Sequence, residues 1–561
     1  MTLLNAISRT KTSFGKEALV KFLSSAQTID ISTLSARQQI IKSVGLLHGL
    51  QGLIEIIKTK EEDLNSFYDA QSMFYKFNSS SYLLKKFYYV DKNNANKGYR
   101  QLFFRKLLMS DLYNIFIKQY NNGFSLVCFV ASYLLRKDSH SLFILSQFIP
   151  IPFFREIVNI IGSLKFLFSL NLSNVLPQNI FSGLFLCVGV VTTVLSYVKV
   201  FKRYRVYEKV FKKIQNKVVA LQVLVRAIKE ISSTVSCNSV LKTLIPSINS
   251  LLSQAGAGND LSTLLTICNS IDINNVRYLS CDSVVVLSLF RIFYDYKDLF
   301  KNILEEIGVL DMYVSLSQLM REQTATTKYC YTTFISSPTP YVDIVALWNP
   351  LLHGDNIVTN DIVIGRDFTN MILCGHNGGG KSTYLKSLII SVLLSQTFGI
   401  SPAAKMIMTP FKHIRSLSSI NEELTDSDSL FISEIKRLID YVKLCQSVSE
   451  GEFIFTVFDE PLHGTDSVSA VALLKAIFKN LANNNNLLHV ISTHYSNVVS
   501  LESWNNGKFR NYLVQIEFFD DDRFKYKYKI IPGVSKRSVA FNIAAAKGLP
   551  MGIVDIAKKE H

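Results

Sequence analysis

The sequence predicts a mainly α-helical core and lever region, residues 1 to about 335, joined to a C-terminal α/β domain with a parallel sheet, residues 336–561. Three observations carry that expectation. Long stretches of the first part place apolar residues at helical spacing with polar ones between. From about residue 336, prolines, β-branched alternation and short apolar runs take over, which is the texture of strands. Within that second part "NMILCGHNGGGKSTYLKSL" (370–388) reads as strand, glycine-rich loop and helix in succession.

The bulk properties set bounds. A chain of 561 residues has room for several domains with cores of their own. Lys and Arg number 60 against 44 Asp and Glu, a net +16, and the pI is near 9.2. That balance suits an anionic partner, nucleic acid or an anionic membrane face; a lysine-rich surface is the plainer alternative. Eight cysteines form no CxxC pair, which argues against a disulfide scaffold or a zinc site and fits a reducing, intracellular compartment. The first residues are polar by position 8, so no secretory signal is expected.

The elements follow in order. Residues 1–138 read as a helical core-like region, on stretches such as "SARQQIIKSVGLLHGLQGLIEIIKTKEEDL" (35–64). Residues 139–198 form an apolar zone. No charged residue occurs from Phe166 to Val198, and "QNIFSGLFLCVGVVTTVLSYV" (178–198) is long enough to cross a bilayer as a helix. Arg136-Lys137 on one side and Lys199, Lys202, Arg203 and Arg205 on the other would hold both ends of a hairpin in the cytosol. Arg155, Glu156 and Lys165 inside the zone favour instead a helix pair buried in a helical domain, and the two readings stay open. Residues 199–335 return to helical spacing, with "VYEKVFKKIQNKVVALQVLVRAIKEISSTV" (206–235) amphipathic throughout.

The chemistry sits in residues 336–561. Gly375, four residues, then Gly380-Lys381-Ser382 is a phosphate-binding loop. Its glycines let backbone N–H groups close around phosphate oxygens while the next helix points its N-terminus at them. Gly375, His376, Asn377, Gly378, Gly379, Gly380, Lys381, Ser382 and Thr383 are thus the expected ATP-binding residues. Lys381 would reach the β- and γ-phosphates, and Ser382 would place its hydroxyl on Mg²⁺. Such a loop needs an acidic strand, and "EFIFTVFDEP" (452–461) supplies one. Asp459 would hold Mg²⁺, and Glu460 would act as general base on the attacking water. A third apolar strand, "LLHVISTHYSN" (487–497), ends at His494, placed to sense the γ-phosphate.

With those residues assembled, the sequence resembles the MutS family of DNA mismatch-repair and recombination ATPases. The family's GPNMGGKST resembles "GHNGGGKST", with His376 and Gly378 departing and Asn377 kept. Its STFMVEM resembles "SLFISEI" (429–435), matching Ser429, Phe431 and Glu434. DE-x-x-x-GT resembles "DEPLHGTD", and THY stands as Thr493-His494-Tyr495. "GVSKRSVAFNIAAAKGLP" (533–550) resembles the family's late glycine-rich motif, with Ala540 for its second Gly. Near the start, Gly15, Leu19, Leu23, Ile31 and Arg37 resemble the family's core domain. The resemblance implies ATP and Mg²⁺ as ligands and dimerisation, homo- or heteromeric, through the ATPase domain. Each ATP would then also meet Ser429 of the other copy; a helix cap is the plainer role for Ser429. It implies clamp-like movement on mismatched or branched DNA. The alternative is a membrane-anchored relative, held through 139–198, with an unknown target. The chain opens at the core-like region with no mismatch-recognition domain ahead of it, and Phe154-Arg155-Glu156 is a poor wedge because of its apolar setting. The LSGGQ signature of transporter ATPases is absent from 415–450.

Overall fold

The computed structural model describes residues 2–66 and 178–560, save for 26–28, 48, 256, 278–282, 355, 376–377, 419–429, 505–506, 520–523 and 535–539. In chain order its helices begin with α1 (Leu3–Ile7), α2 (Ser13–Ser24), α3 (Ile31–Leu46), α4 (Leu50–Lys58), α5 (Glu61–Asn65) and α6 (Gln178–Val235). They continue with α7 (Ser239–Lys242), α8 (Pro246–Ser253), α9 (Asp260–Ser270), α10 (Ser283–Asp295) and α11 (Lys297–Leu319). Strands then enter: β1 (Cys330–Tyr331), β2 (Thr333–Phe334), β3 (Val342–Leu347), β4 (Asn360–Ile364) and β5 (Asn370–Cys374), followed by α12 (Lys381–Phe398). After it come β6 (Ile400–Ser401), β7 (Lys405–Met408), β8 (His413–Ser418), α13 (Leu430–Gln446), β9 (Ile454–Asp459), α14 (Ser467–Leu481) and β10 (Leu487–Thr493). A 3₁₀ segment (Ser496–Ser503), β11 (Phe509–Phe518), β12 (Phe524–Pro532), α15 (Ala540–Ala546) and α16 (Met551–Glu560) complete the order.

The chain divides into two units. One comprises Met1–Thr59, Ala227–Gln254 and Asp298–His561; the other comprises Lys60–Arg226 and Ala255–Lys297. In the second unit α6 carries the buried row Phe211, Ile214, Val218, Leu221, Leu224 and Val225. Two buried glutamines of the same helix, Gln215 and Gln222, donate to the carbonyls of Ile273 and Cys268, so the backbone beyond and within α9 is satisfied by side chains of α6.

The apolar zone at 139–198 is only partly within view, since 139–177 lie outside the described residues. The remainder, 178–198, opens α6, a helix of 58 residues. The boundary expected at 198/199 therefore falls inside one helix; residues 199–205 hold no proline or glycine to stop it. Among the described residues no single helix is long and apolar enough to cross a membrane.

The first unit contains the predicted α/β domain. Its main sheet has the order β12-β11-β5-β10-β9-β8. The five strands from β11 to β8 run parallel, and β12 joins the edge antiparallel. The expected parallel sheet is therefore present in part, accompanied by a four-stranded sheet β2-β7-β3-β4 in which β3 pairs antiparallel with both neighbours. Central strands are buried on both faces, and alternate residues feed two cores. Met371, Leu373, Phe455, Val457, Leu488 and Val490 pack with Tyr384, Leu385, Leu388 and Val392 of α12. Ile372, Ile454, Phe458, Leu487 and Ile491 pack with Leu438 and Tyr441 of α13 and Leu474 and Phe478 of α14. Helices thus cover both faces, as parallel strands require.

The N-terminal helices of this unit pack onto the same body. Arg37 donates to the Thr397 carbonyl (2.6 Å), and Gln38 donates to the carbonyls of Thr332 and Gly399. Gly15 lies against Asp311 of α11, a carboxylate with no solvent exposure that accepts from the Thr12 backbone N–H and hydroxyl.

Candidate active site

Three parallel strands end side by side. The register pairs Thr493 with Cys374 and Ser492 with Asp459, so the ends of β5, β10 and β9 lie at successive strand spacings along one edge. The crevice beyond the carboxyl ends of such strands is where α/β sheets take ligands. Into it run the glycine loop after β5, the acidic pair at the end of β9 and His494 after β10.

The loop turns through Gly378 (φ +82°) and Gly380 (φ +91°), conformations that a side chain would strain. Gly380 caps α12, and Lys381 is that helix's first residue, 4% exposed. Its ammonium donates to the Gly375 carbonyl (2.6 Å) and stands 3.4 Å from Oε1 of Glu460. Ser382, exposed, and Thr383, half-buried, occupy the same first turn, and Gly379 is buried in the loop. His376, Asn377 and Ser429 lie outside the described residues; α13 begins immediately after Ser429, at Leu430.

The acidic pair is held by Ser492. Its hydroxyl donates to Asp459 Oδ1 (2.6 Å), and its hydroxyl and carbonyl oxygens both accept the Glu460 N–H (3.1 and 3.2 Å). Glu460 and Leu462 adopt left-handed backbone (φ +51° and +60°), each at a cost of about 1–3 kcal/mol. That turn aims the Glu460 carboxylate at Lys381. Nδ1 of His494 is 3.9 Å from Oε2 of Glu460, and burial pushes the imidazole below its ordinary range, with Glu460 opposing. His494 is therefore neutral near pH 7. Glu434, buried, accepts the Gly464 N–H (3.2 Å), so "SLFISEI" and "DEPLHGTD" meet in space.

Three residues of the site escaped the sequence reading. Ser492 is one small polar residue inside an apolar strand, and nothing in its spacing marks it. His463 falls at a variable position of the acidic motif, yet it faces His494 edge-on with ring centroids 5.3 Å apart. Tyr528 of β12 leans over the glycine loop: a Cβ on Gly380 would lie 3.0 Å from its ring. Only the alternation "FKYKYK" hints that β12 has an aromatic face.

The donors suit Mg²⁺. The Ser382 hydroxyl and the Asp459 carboxylate would offer hard oxygen donors, and Asp459 has a second oxygen beyond the one Ser492 donates to.

A glycine-turned loop, a buried lysine and an acidic strand end at the carboxyl edge of a parallel sheet define a nucleoside-triphosphate-binding domain of the phosphate-loop class. Comparison with known proteins narrows the class: residues 371–561 match the family profile of MutS domain V. The chain is 30% identical over 227 residues to a putative endonuclease MutS2 of Bacillus subtilis, covering 40% of this chain and 28% of that protein. It is 31% identical over 219 residues to endonuclease MutS2 of Shouchella clausii, covering 39% and 27% respectively. It is 27% identical over 208 residues to the DNA mismatch repair protein MutS of Caldanaerobacter subterraneus, covering 37% and 23%. The matched part thus spans about a quarter of the length of these relatives. The C-terminal part of the chain is thus similar to domain V of MutS proteins.

Proposed function

We propose that the chain binds ATP with Mg²⁺ and hydrolyses it, as a dimer of ATPase domains, to drive clamp-like movement on mismatched or branched DNA. One observation carries the catalytic half. Lys381, the phosphate-loop lysine, is buried and stands 3.4 Å from the Glu460 carboxylate. An arriving triphosphate competes for the Lys381 ammonium. Lys381 then turns to the β- and γ-phosphates, and Glu460 is released to take a proton from the attacking water. Ser492 holds the Asp459 carboxylate and the Glu460 backbone N–H while this happens. The neutral His494 imidazole can donate to or accept from the γ-phosphate side of the site without adding charge. Ser382 and Asp459 would hold Mg²⁺, which would neutralise phosphate charge. The dimer rests on the match of Ser429, Phe431 and Glu434 to the family's segment, and the DNA partner on the net charge of +16 and on the relatives' names.

Two substitutions test the reading. Lys381→Ala is expected to abolish ATP binding and turnover. Glu460→Gln is expected to keep ATP binding, to lower turnover by about 10²–10⁴-fold, and to accumulate with ATP as a dimer in light scattering. Retained turnover in Lys381→Ala sinks the assignment of the site. A Glu460→Gln chain that stays monomeric with ATP sinks the dimer.

A further inference from the structure

Glu460, His463 and His494 each present one ligand atom, and the three atoms lie within 4.8 Å of one another. We propose that they form a second cation site, distinct from the one at Ser382 and Asp459, that takes a borderline transition ion such as Zn²⁺ or Co²⁺. Two imidazoles with one carboxylate select such ions over Mg²⁺, which prefers oxygen donors throughout. Three protein ligands also leave open positions for water or a phosphate oxygen, the arrangement of an accessible rather than a structural metal site.

The geometry is close to what binding needs. A tetrahedral ion about 2.1 Å from each donor wants them about 3.4 Å apart; His494 Nδ1 and Glu460 Oε2 are already at 3.9 Å. Both histidines are exposed. The carboxylate is divided in the right sense: Oε1 faces Lys381, and Oε2 faces His494. The turn that brings position 463 back to position 494 is fixed from both sides. The Tyr495 hydroxyl donates to the Leu462 carbonyl (3.2 Å), and Glu434 holds the Gly464 N–H. The cysteine pattern argued only against a thiolate site; this one uses none.

Occupancy engages Oε2 of Glu460 and so slows hydrolysis while the phosphate loop stays intact. That consequence rests on the ATPase reading; the binding site itself does not. The test is a titration of the full chain with Co²⁺ alone, without nucleotide, followed by its visible absorption and by Zn²⁺ displacement. Wild type is expected to bind one ion in a low-coordinate environment, and His463→Gln to bind at least about tenfold more weakly. In parallel, micromolar Zn²⁺ is expected to slow Mg²⁺-ATP turnover of wild type, and to leave the turnover of His463→Gln at that variant's own zinc-free rate. Equal Co²⁺ affinity in wild type and His463→Gln, or no bound ion in wild type, overturns the site. Binding through His463 in a chain that turns over no ATP upholds the site and overturns the ATPase reading instead.

Discussion

At the residue scale, a buried histidine ties the phosphate-loop strand to the helix that follows Ser429. His489, with no solvent exposure, lies in β10 between Asn370 of β5 and Tyr441 of α13. Asn370 Oδ1 can only accept, so Nδ1 carries the proton (2.6 Å). Nε2 then accepts from the Tyr441 hydroxyl (2.8 Å), which in turn accepts from Thr456 (2.8 Å). Every member of the chain is satisfied with a neutral imidazole, and burial lowers the His489 pKa to about 3. The sign of the linkage follows. The unfolded chain takes up a proton below the ordinary histidine value, about 6.5, and the folded chain does not until near 3. The stability from this site is complete above about 6.5 and is lost as pH falls from there towards 3. Between about pH 7.5 and pH 5.5 the wild type is expected to lose about 1.4 kcal/mol more than His489→Gln. Urea unfolding at the two pH values measures the difference, and an identical pH dependence in both chains removes His489 as the cause. The sequence displayed His489 in the middle of an apolar strand, but its partners lie 119 and 48 positions away, and one strand's pattern cannot point to them.

At the scale of elements, α2 and α11 approach through glycines. A Cβ on Gly15 would fall 2.2 Å from Asp311 Oδ2, and one on Gly308 would fall 2.6 Å from the Phe14 carbonyl oxygen. The close approach lets Asp311 receive the hydroxyl and N–H of Thr12, which also caps α2 by accepting the Gly15 N–H. Gly15→Ala must displace a buried, hydrogen-bonded carboxylate, so it is expected to destabilise by about 1–3 kcal/mol. Lys16→Ala, an exposed neighbour on the same helix, is expected to stay within about 0.5 kcal/mol of wild type. Equal midpoints for the two variants would show that the helices repack at no cost. Gly15 and Arg37 were legible because their motif resembles a known core domain. Asp311 was not, since a lone acid in an amphipathic helix reads as a solvated one. Likewise β5, β9 and β10 announced themselves as short apolar runs, whereas β8 and β12 carry alternating charged or half-exposed residues and are strands by virtue of their neighbours.

At the scale of the whole molecule, legibility follows local pattern. The phosphate loop, the acidic strand and the histidine strand are contiguous motifs, and the structure brings them to one sheet edge. The 58-residue α6 was divided at 198 because an apolar run and an amphipathic run look like two segments although one helical period carries both. The charge of +16 is likewise a property of the whole chain, and it makes a prediction that no single residue makes. Binding to branched DNA through phosphate contacts releases condensed counterions, so the logarithm of affinity falls linearly with the logarithm of salt concentration. A surface that neutralises about six to ten phosphates loses on the order of 10³–10⁵-fold in affinity between about 50 and 200 mM salt. Gel retardation of a four-way junction and of the matched linear duplex across that range separates the two contributions. A parallel loss for both DNAs is the electrostatic part, common to any duplex. A constant ratio in favour of the junction at every salt concentration is the part that reads shape. If neither DNA is retarded at the lowest salt, the positive charge serves another anionic partner and the DNA half of the proposed function fails, while the ATPase half stands on Lys381 and Glu460.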